Sequence, residues 1–189
     1  MSPGPTTAQL ADLIRNRRSI NLFEAETVEP QLLLEAIELA RWAPNHRLTE
    51  PWRFYLLGEE TAERMARFAA ELETAAKGER VGAARYERFK AIPGNFVLTS
   101  QRSDDALVDK ENYAACCCAV QNLSLYLWQC GVGVKWTTGA LTREQGFYEL
   151  LDIDSQKEIV VGLFWYGRPK IVPPPQQRRE AAEITLRKP

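Results

Sequence analysis

The chain has 189 residues, of which 45% are hydrophobic, so we expect a single domain over residues 1–189 with a sizeable core. Its 24 Lys and Arg residues nearly balance its 25 Asp and Glu residues, which argues against a nucleic-acid-binding protein because such proteins usually carry a basic excess. The chain lacks an apolar segment long enough to span a bilayer, and its first residues lack the pattern of a signal peptide.

The cysteines also favour a cytoplasmic protein. Cys116, Cys117 and Cys118 are consecutive, and Cys130 lies in the same apolar stretch. This arrangement is unsuited to a disulfide framework, so a reducing cytoplasm is expected. We interpret all of these cysteines as buried packing residues without a redox role.

The first half of the chain begins with two predicted helices and a strand. Thr6-x-x-Gln9 resembles a capping box and predicts a helix to about Arg17. A second helix is expected from Pro30 until Pro44 ends it, because apolar residues recur between them at helical spacing. Residues 51–57 then read as a strand that ends at Gly58.

Helices and strands alternate less regularly after that. Helices are predicted over 61–76 and 81–90, and a short strand over 95–100. Residues 107–130 form a long predicted helix. Its middle, residues 114–127, is apolar almost all round, which predicts burial on every side.

The last part of the chain contains two predicted strands and an extended tail. The strands cover 132–136 and 158–166, and Thr142-x-x-Gln145 between them predicts a capped short helix. The tail, 167–189, is rich in proline and arginine and is expected to be extended, either disordered or wrapped around a partner surface. The order of the elements indicates an α+β fold rather than strict βαβ alternation.

The end of the first helix is the first candidate site. Arg17, Arg18 and Ser19 follow Arg15, and the planar guanidinium group is well matched to phosphate. The alternative is a solvated helix end, where cations are favoured anyway. Taken alone, this segment favours the alternative.

A polar loop between the second helix and the first strand is the next candidate. It carries Asn45 and His46, the only histidine, and leads into Pro51 and Trp52. Amide and imidazole groups here could lie beside a flat aromatic ligand. The alternative is an ordinary connection, since a lone histidine is more often structural.

Two further candidates come later in the chain. One strand end offers hydroxyl and backbone N–H groups for a heterocycle edge, at Trp136, Thr137, Thr138 and Gly139. The alternative there is a simple turn. In the tail, Arg178 precedes Arg179, and the alternative is a solvated pair of charges.

The order of these motifs resembles the nitroreductase family. The chain has RRS after a helix, then AP-N-H leading into PW-x-F, then G-x-G-x-x-W-x-x-G-A-L, a late apolar strand and a basic tail. It is most similar to the small bacterial branch with an AP-D-H…QPW segment. The resemblance covers about residues 10–184.

The resemblance implies an α+β fold with a central, mostly antiparallel sheet flanked by helices, built as an intertwined homodimer. It implies two FMN molecules, each bound by both subunits. The FMN phosphate and ribityl end would be held by Arg17, Arg18, Ser19 and Arg178. The flavin would be lined by Asn45, His46, Thr137, Thr138 and Gly139, beside Trp136, with Pro51 and Trp52 walling the cleft from the other subunit.

The implied activity is ping-pong hydride transfer from NADH or NADPH, through the flavin, to a nitroaromatic, a quinone or a similar acceptor. No side chain is assigned a catalytic role, and His46 is preferred as a positioning residue over a proton donor. Alternatives are other flavin chemistry (metabolite dehydrogenation or dehalogenation), a flavin-binding protein without efficient turnover, and a relative that has lost FMN. Family members often have Arg where this chain has Asn21, and Gln where it has Glu50.

Overall fold

The computed structural model of the protein describes residues 6–188. The α-helices in this range are α1 Thr7–Asn16, α2 Pro30–Ala40, α3 Glu59–Lys77, α4 Glu79–Lys90, α5 Ala106–Gln129 and α6 Gln145–Leu150. The strands are β1 Trp52–Leu56, β2 Gly94–Gln101, β3 Gly133–Thr137 and β4 Glu158–Gly167. Short 3-10 helices cover His46–Leu48, Ala140–Arg143 and Ala181–Ile184.

The strands form one antiparallel sheet in the order β1-β2-β4-β3. The longest pairing joins β2 to β4, so these two apolar strands occupy the centre and β1 and β3 the outer positions. The predicted α+β fold with a central antiparallel sheet is therefore confirmed. β1 follows the loop that carries Asn45 and His46, and β3 carries Trp136 and Thr137. These two parts of the predicted ligand site therefore lie at opposite edges of the sheet.

Both faces of the sheet are covered by helices. Side chains of successive strand residues point to opposite faces, so Phe96 packs with α2 and α5 while Val97 packs with α3 and α6. Phe96 and Phe164 stack with ring centroids 4.7 Å apart. Burial on both faces explains why β2 and β4 read as nearly continuous apolar runs.

The predicted helix starts differ in their outcome. At α1 the capping box is present, since the Thr6 hydroxyl accepts from the Gln9 backbone N–H and the Gln9 side chain accepts from the Thr6 N–H. The prediction at Thr142 is wrong. Thr142 lies inside a 3-10 helix, and its hydroxyl donates to the carbonyl oxygen of Gly139, so α6 begins after Glu144 instead.

The prediction that the middle of α5, residues 114–127, is buried on every side is wrong for the described chain. One side of the helix, including Cys116 and Leu123, is fully buried, but Tyr113 and Cys118 on the other side are exposed. The sheet and α2 cover one side of α5, and nothing in residues 6–188 covers the other. The prediction that all the cysteines are buried is therefore confirmed for Cys116 alone, because Cys118 is exposed and Cys117 and Cys130 are only partly buried.

Apolar side chains are also exposed at both ends of the described chain. Leu10 and Ile14 on α1 are about half exposed, and α1 contributes no fully buried residue. Within the described residues, the tail after β4 contains no α-helix or strand, only the 3-10 helix at Ala181–Ile184, and it exposes Ile171 and Leu186. None of the helices within residues 6–188 is long and apolar enough to cross a membrane.

Candidate functional site

A cavity of about 690 Å³ lies between the end of α1 and the tail. We call it the arginine cavity. Its lining brings together four of the predicted site residues, Arg17, Arg18, Ser19 and Arg178. The remaining lining includes Asn21 and three consecutive tail prolines, Pro173, Pro174 and Pro175.

Backbone hydrogen bonds after α1 explain why distant segments meet here. Ile20 N–H donates to the Val134 carbonyl oxygen of β3 at 3.3 Å, next to a parallel β-bridge between Ser19 and Val134. The tail then returns along the same segment, where Lys170 N–H donates to the Leu22 carbonyl oxygen at 3.0 Å. The tail therefore reaches the end of α1 from a fixed starting point.

The arginine cavity concentrates positive charge. Burial, and then the nearby Arg18 and Arg178, lower the pKa of Arg17. Arg18 donates to the backbone carbonyl oxygens of Arg15 and Arg17. A cation at the C-terminus of a helix is expected to bind the last carbonyl groups in this way. No Asp or Glu lines the cavity, so an anionic ligand would be favoured there.

A second cavity, of about 220 Å³, lies between α4 and β3. We call it the three-cation cavity, because Arg85, Arg88 and Lys135 all line it. Trp165 also lines it, together with the predicted site residues Trp136, Thr137 and Gly139. Thr138 is exposed between the last two.

The close packing of α4 on α3 positions the two arginines of this cavity. Gly82 lies where a Cβ atom would be 2.8 Å from the Ala70 carbonyl oxygen, so only glycine permits this approach of the two helices. Arg85 and Arg88, one helical turn apart, follow Gly82 on α4 and face β3.

The side chains of Trp136 and Thr137 help to hold β3 against β4. The Trp136 indole N–H donates to the Val161 carbonyl oxygen, and the Thr137 hydroxyl donates to the Leu163 carbonyl oxygen, each at 2.9 Å. These donors are therefore engaged within the sheet. A ligand at this edge would meet the exposed backbone of Thr138 and Gly139 instead.

The loop before β1 has unusual backbone geometry. Arg47, Leu48 and Glu50 have φ values of 58°, 51° and 43°, in the left-handed region that residues other than glycine rarely adopt. The Glu50 N–H donates to the Asn45 side-chain oxygen at 3.0 Å, which stabilises this conformation. Strained loops of this kind occur often at functional sites.

The structure does not bring this loop together with the two cavities. Asn45, His46, Pro51 and Trp52 precede or begin β1, whereas both cavities lie near β3 at the other edge of the sheet. Three strand spacings separate the edges, which is about 14 Å. Within one chain the predicted site is therefore divided into two parts.

Sequence reasoning missed several residues of the candidate site. Arg85, Arg88, Lys135 and Trp165 were not singled out, although the i,i+3 spacing of the arginines is visible in the sequence. The convergence of these residues depends on the packing of α4 against the β3–β4 pair, which no local pattern encodes. Among residues 6–188 there is no group of three or more His, Cys, Asp or Glu side chains placed to bind a metal ion.

Comparison with known proteins gives a consistent result. The sequence model described as "Nitroreductase family" matches residues 14–168. The Bacillus subtilis protein named "Putative NAD(P)H nitroreductase YfhC" is 30% identical over 175 residues, which cover 89% of each chain.

Solved structures resemble the whole chain. A nitroreductase-like family protein from Bacillus cereus has a TM-score of 0.85 at 29% identity, covering 98% of this chain and 99% of the other. A Desulfovibrio desulfuricans protein described as a "putative nitroreductase in complex with FMN" has a TM-score of 0.75 at 18% identity, covering 100% and 99%. The second likeness supports the fold alone.

Proposed function

The chain belongs to the nitroreductase family, and we propose that it is an FMN-dependent oxidoreductase that uses NADH or NADPH to reduce nitroaromatic, quinone or similar acceptors by ping-pong hydride transfer. The observation that supports this most is the arginine cavity, where cations from both ends of the chain converge without a carboxylate in the lining. The neighbour from Desulfovibrio desulfuricans was solved with FMN.

The arginine cavity fits the phosphate of FMN. A phosphate monoester carries about 1.5 to 2 negative charges near neutral pH. Such a dianion would offset the burial and the repulsion by Arg18 and Arg178 that lower the pKa of Arg17. Arg178 donates to the Gln176 side chain at 3.3 Å, and a guanidinium has further N–H donors for an oxyanion. We assign Arg17, Arg18, Ser19 and Arg178 to the phosphate and ribityl end.

The edge of β3 fits a flat ring beside the phosphate site. Ser19 pairs with Val134 of β3, so the strand runs from the arginine cavity towards Thr137. We assign Trp136, Thr137, Thr138 and Gly139 to the lining of the ring. Backbone N–H groups there would orient the heterocycle, because the side-chain donors of Trp136 and Thr137 already bond to β4.

We propose that a second copy of the chain completes the site. Asn45, His46, Pro51 and Trp52 lie at the far edge of the sheet, and a partner would supply its own set to this edge. The exposed apolar side chains of α1, of α5 and of the tail support such a homodimer, with residues 167–189 wrapped around the partner.

When bound, FMN supplies the redox chemistry, taking two electrons and a proton equivalent from the nicotinamide and passing reducing equivalents to the acceptor. The residues of the chain bind and orient the nicotinamide and the acceptor and exclude water. His46 is a positioning residue in this proposal. The free cysteines are consistent with a reducing cytoplasm. We also propose that residues 1–189 form one domain.

The test is anaerobic reduction of the purified protein with NADH and, separately, with NADPH. We expect yellow protein whose flavin absorbance bleaches with at least one nicotinamide and returns when a nitroaromatic or a quinone is added. Yellow protein that neither nicotinamide reduces would indicate a flavin-binding protein without turnover. Colourless protein that does not bind added FMN would contradict the proposal entirely.

A further inference from the structure

A groove of about 380 Å³ runs along the outer side of α2. We call it the α2 groove, and it is lined by Gln31, Leu34, Glu35, Glu38, Leu39 and Tyr126. The α2 residues of this set follow helical spacing and form one stripe, whereas the buried stripe of the same helix contains Leu33 and Ala36. Leu34 and Leu39 are 49% and 41% exposed, so the groove presents two large apolar side chains that the single chain leaves uncovered.

The end of the tail, residues 181–188, is structured without being packed. We call this segment the tail end. Local hydrogen bonds hold its 3-10 helix, Ala181–Ile184, which begins with a capping box. Even so, Ile184 is 61% exposed and Leu186 is 81% exposed. Apolar side chains that are exposed together on an ordered segment indicate a surface that another element covers.

The charges of the α2 groove and of the tail end are opposite. Glu35 accepts a hydrogen bond from the Tyr126 hydroxyl at 2.8 Å, which raises the pKa of Tyr126 to about 12. Within residues 6–188 Glu35 forms no salt bridge, and neither do Arg187 and Lys188 of the tail end. An exposed ion pair contributes little to affinity, so these charges select an orientation while the apolar side chains supply the binding.

The length of the tail decides which groove the tail end can fill. In the single chain the groove and the tail end are both exposed, so neither covers the other. Residues 179–188 follow Arg178 of the arginine cavity and span up to about 33 Å when extended. In the proposed dimer the same cavity adjoins the partner's Asn45, which follows closely after the end of α2 at Ala40. The α2 groove of the partner is therefore within reach of the tail end.

We propose that the α2 groove binds the tail end of a second copy of the chain, and that this contact positions Arg178 for the FMN phosphate. The tail is fastened before Arg178 by the backbone hydrogen bond from Lys170 to Leu22. Docking of the tail end fastens it after Arg178 as well, which reduces the conformational entropy that the tail loses when phosphate binds. Ile184 and Leu186 are therefore positioning residues that act through Arg178. This inference rests on the proposed function.

The first experiment detects the contact by cross-linking. Leu34→Cys and Leu186→Cys are combined in a Cys118→Ser background, because Cys118 is exposed, and the protein is treated with a short bismaleimide. We expect covalent dimers, in which mass spectrometry finds the two introduced cysteines in one cross-linked pair of peptides. In the control, Leu56→Cys at a similarly exposed leucine of β1 replaces Leu34→Cys and should give no such pair.

Two outcomes of the cross-linking would overturn the contact. One is a pair joined within a monomer, because the groove would then hold the tail end of its own chain. The other is the absence of the pair between Leu34→Cys and Leu186→Cys at every protein concentration. Cross-linking needs neither nicotinamide nor flavin, so it decides this inference even if the test of the proposed function fails.

The second experiment tests the positioning role by FMN binding, at protein concentrations at which sedimentation shows a dimer. Leu186→Gln should raise the Kd for FMN about tenfold, the effect of losing one buried leucine contact. Leu34→Gln should have the same effect, and the double variant should lose no more than either single variant. In an Arg178→Ala background, Leu186→Gln should change the Kd little, because the contact acts through that arginine. Leu56→Gln is the control and should bind FMN normally.

An unchanged Kd in both Leu186→Gln and Leu34→Gln would overturn the positioning role. So would a full loss from Leu186→Gln in the Arg178→Ala background, since the tail end would then act independently of Arg178. Leu186 is exposed in the single chain, so its variant keeps the test available if Leu34→Gln does not fold. If the wild-type protein does not bind FMN, the proposed function fails, whereas the cross-link still decides whether the α2 groove holds the tail end.

Discussion

Thr49 donates a hydrogen bond of 2.9 Å from its hydroxyl to the side-chain oxygen of Asn112 on α5. Asn112 is 4% exposed, and its amide donates in turn to the backbone carbonyl oxygen of Gln101 at the end of β2. The strained loop before β1 is therefore tied to the central helix and to the central sheet. Asn112 positions the loop that carries Asn45 and His46.

Replacing Asn112 should loosen this loop. Asn112→Ala leaves the Thr49 hydroxyl without its acceptor and the Gln101 carbonyl oxygen without its donor, at a cost of about 1–3 kcal/mol in the free energy of unfolding. Arg47 lies at the exposed part of the loop, so trypsin cleavage after Arg47 should accelerate while cleavage in the exposed tail keeps its wild-type rate. Thr49→Val is the matched variant and should give a smaller effect in the same direction. Cleavage at the wild-type rate in Asn112→Ala would show that the bond does not hold the loop.

Removing an arginine of the arginine cavity should weaken FMN binding. Arg17→Ala and Arg178→Ala each remove charge-assisted bonds to the phosphate, which should raise the Kd for FMN by about 10- to 100-fold. The Kd is measured by quenching of flavin fluorescence. Arg187→Ala, a change in the exposed end of the tail, serves as the control and should bind FMN normally. Unchanged affinity in Arg17→Ala would count against the role assigned to this side chain.

Glu158 should matter more for stability than a charge near a sheet end usually does. Its carboxylate is buried at the start of β4 and accepts hydrogen bonds from Arg53 and Tyr55 of β1 and from Thr99 of β2. Glu158→Ala leaves the buried Thr99 hydroxyl without an acceptor, so we expect about 2–4 kcal/mol of destabilisation in urea unfolding. Arg53→Gln removes only the exposed partner and should cost much less. Equal losses in the two variants would contradict this assignment.

Acid should destabilise the α3–α4 pair through Glu63. Lys90 and then Tyr86 donate hydrogen bonds to its carboxylate and lower the pKa of Glu63 from 4.5 to about 2. Because the pKa is lower in the folded protein, this contribution is complete above pH 4.5 and is lost as the pH falls towards 2. The Tm of Glu63→Gln should therefore fall less than that of the wild type across this range. Glu71→Gln, exposed on the same helix, should follow the wild type.

The cysteines of α5 should differ sharply in reactivity. Burial raises the pKa of the Cys116 thiol to about 12, so iodoacetamide at pH 8 should not modify it in the folded protein. Cys118 is exposed in the single chain and should react there. If the proposed dimer covers α5, protein at high concentration should protect Cys118, and dilution below the dimer Kd should restore its labelling. Mass spectrometry of labelled peptides distinguishes the two sites.

Local chemistry explains which parts of the fold were predictable. The Thr6 capping box and the apolar runs of β2 and β4 are set by neighbouring residues, and the structure has them where the sequence places them. Thr142 carries the same capping signature, but its hydroxyl bonds to Gly139 because the end of β3 holds the backbone in a 3-10 turn. A capping pattern therefore predicts a helix start only where no other nearby acceptor competes for the hydroxyl.

The part of the candidate site that could be predicted is the part that follows from the order of the sequence motifs. Arg17 and Arg178 were expected to act together, and they do line one cavity. The convergence of Arg85 with Lys135 was not expected, because it requires α4 to pack against β3 and Lys135 to lie opposite Trp165 in the sheet register. Charge clusters that are assembled from separate elements have no signature along the chain.

The attachment of the tail has a practical consequence for handling the protein. The backbone bonds of Lys170 to Leu22 and of Glu24 to Arg168 fasten the chain just after β4, whereas Arg178 lies beyond that point on exposed chain. A protease nick after residue 170 would leave the sheet and its helices intact while removing Arg178, one of the cations that we propose bind the phosphate. Such a preparation could look well folded by circular dichroism and yet be unable to retain the yellow colour of bound flavin. Purification tags are therefore better placed at the N-terminus, and the intact mass is better checked first.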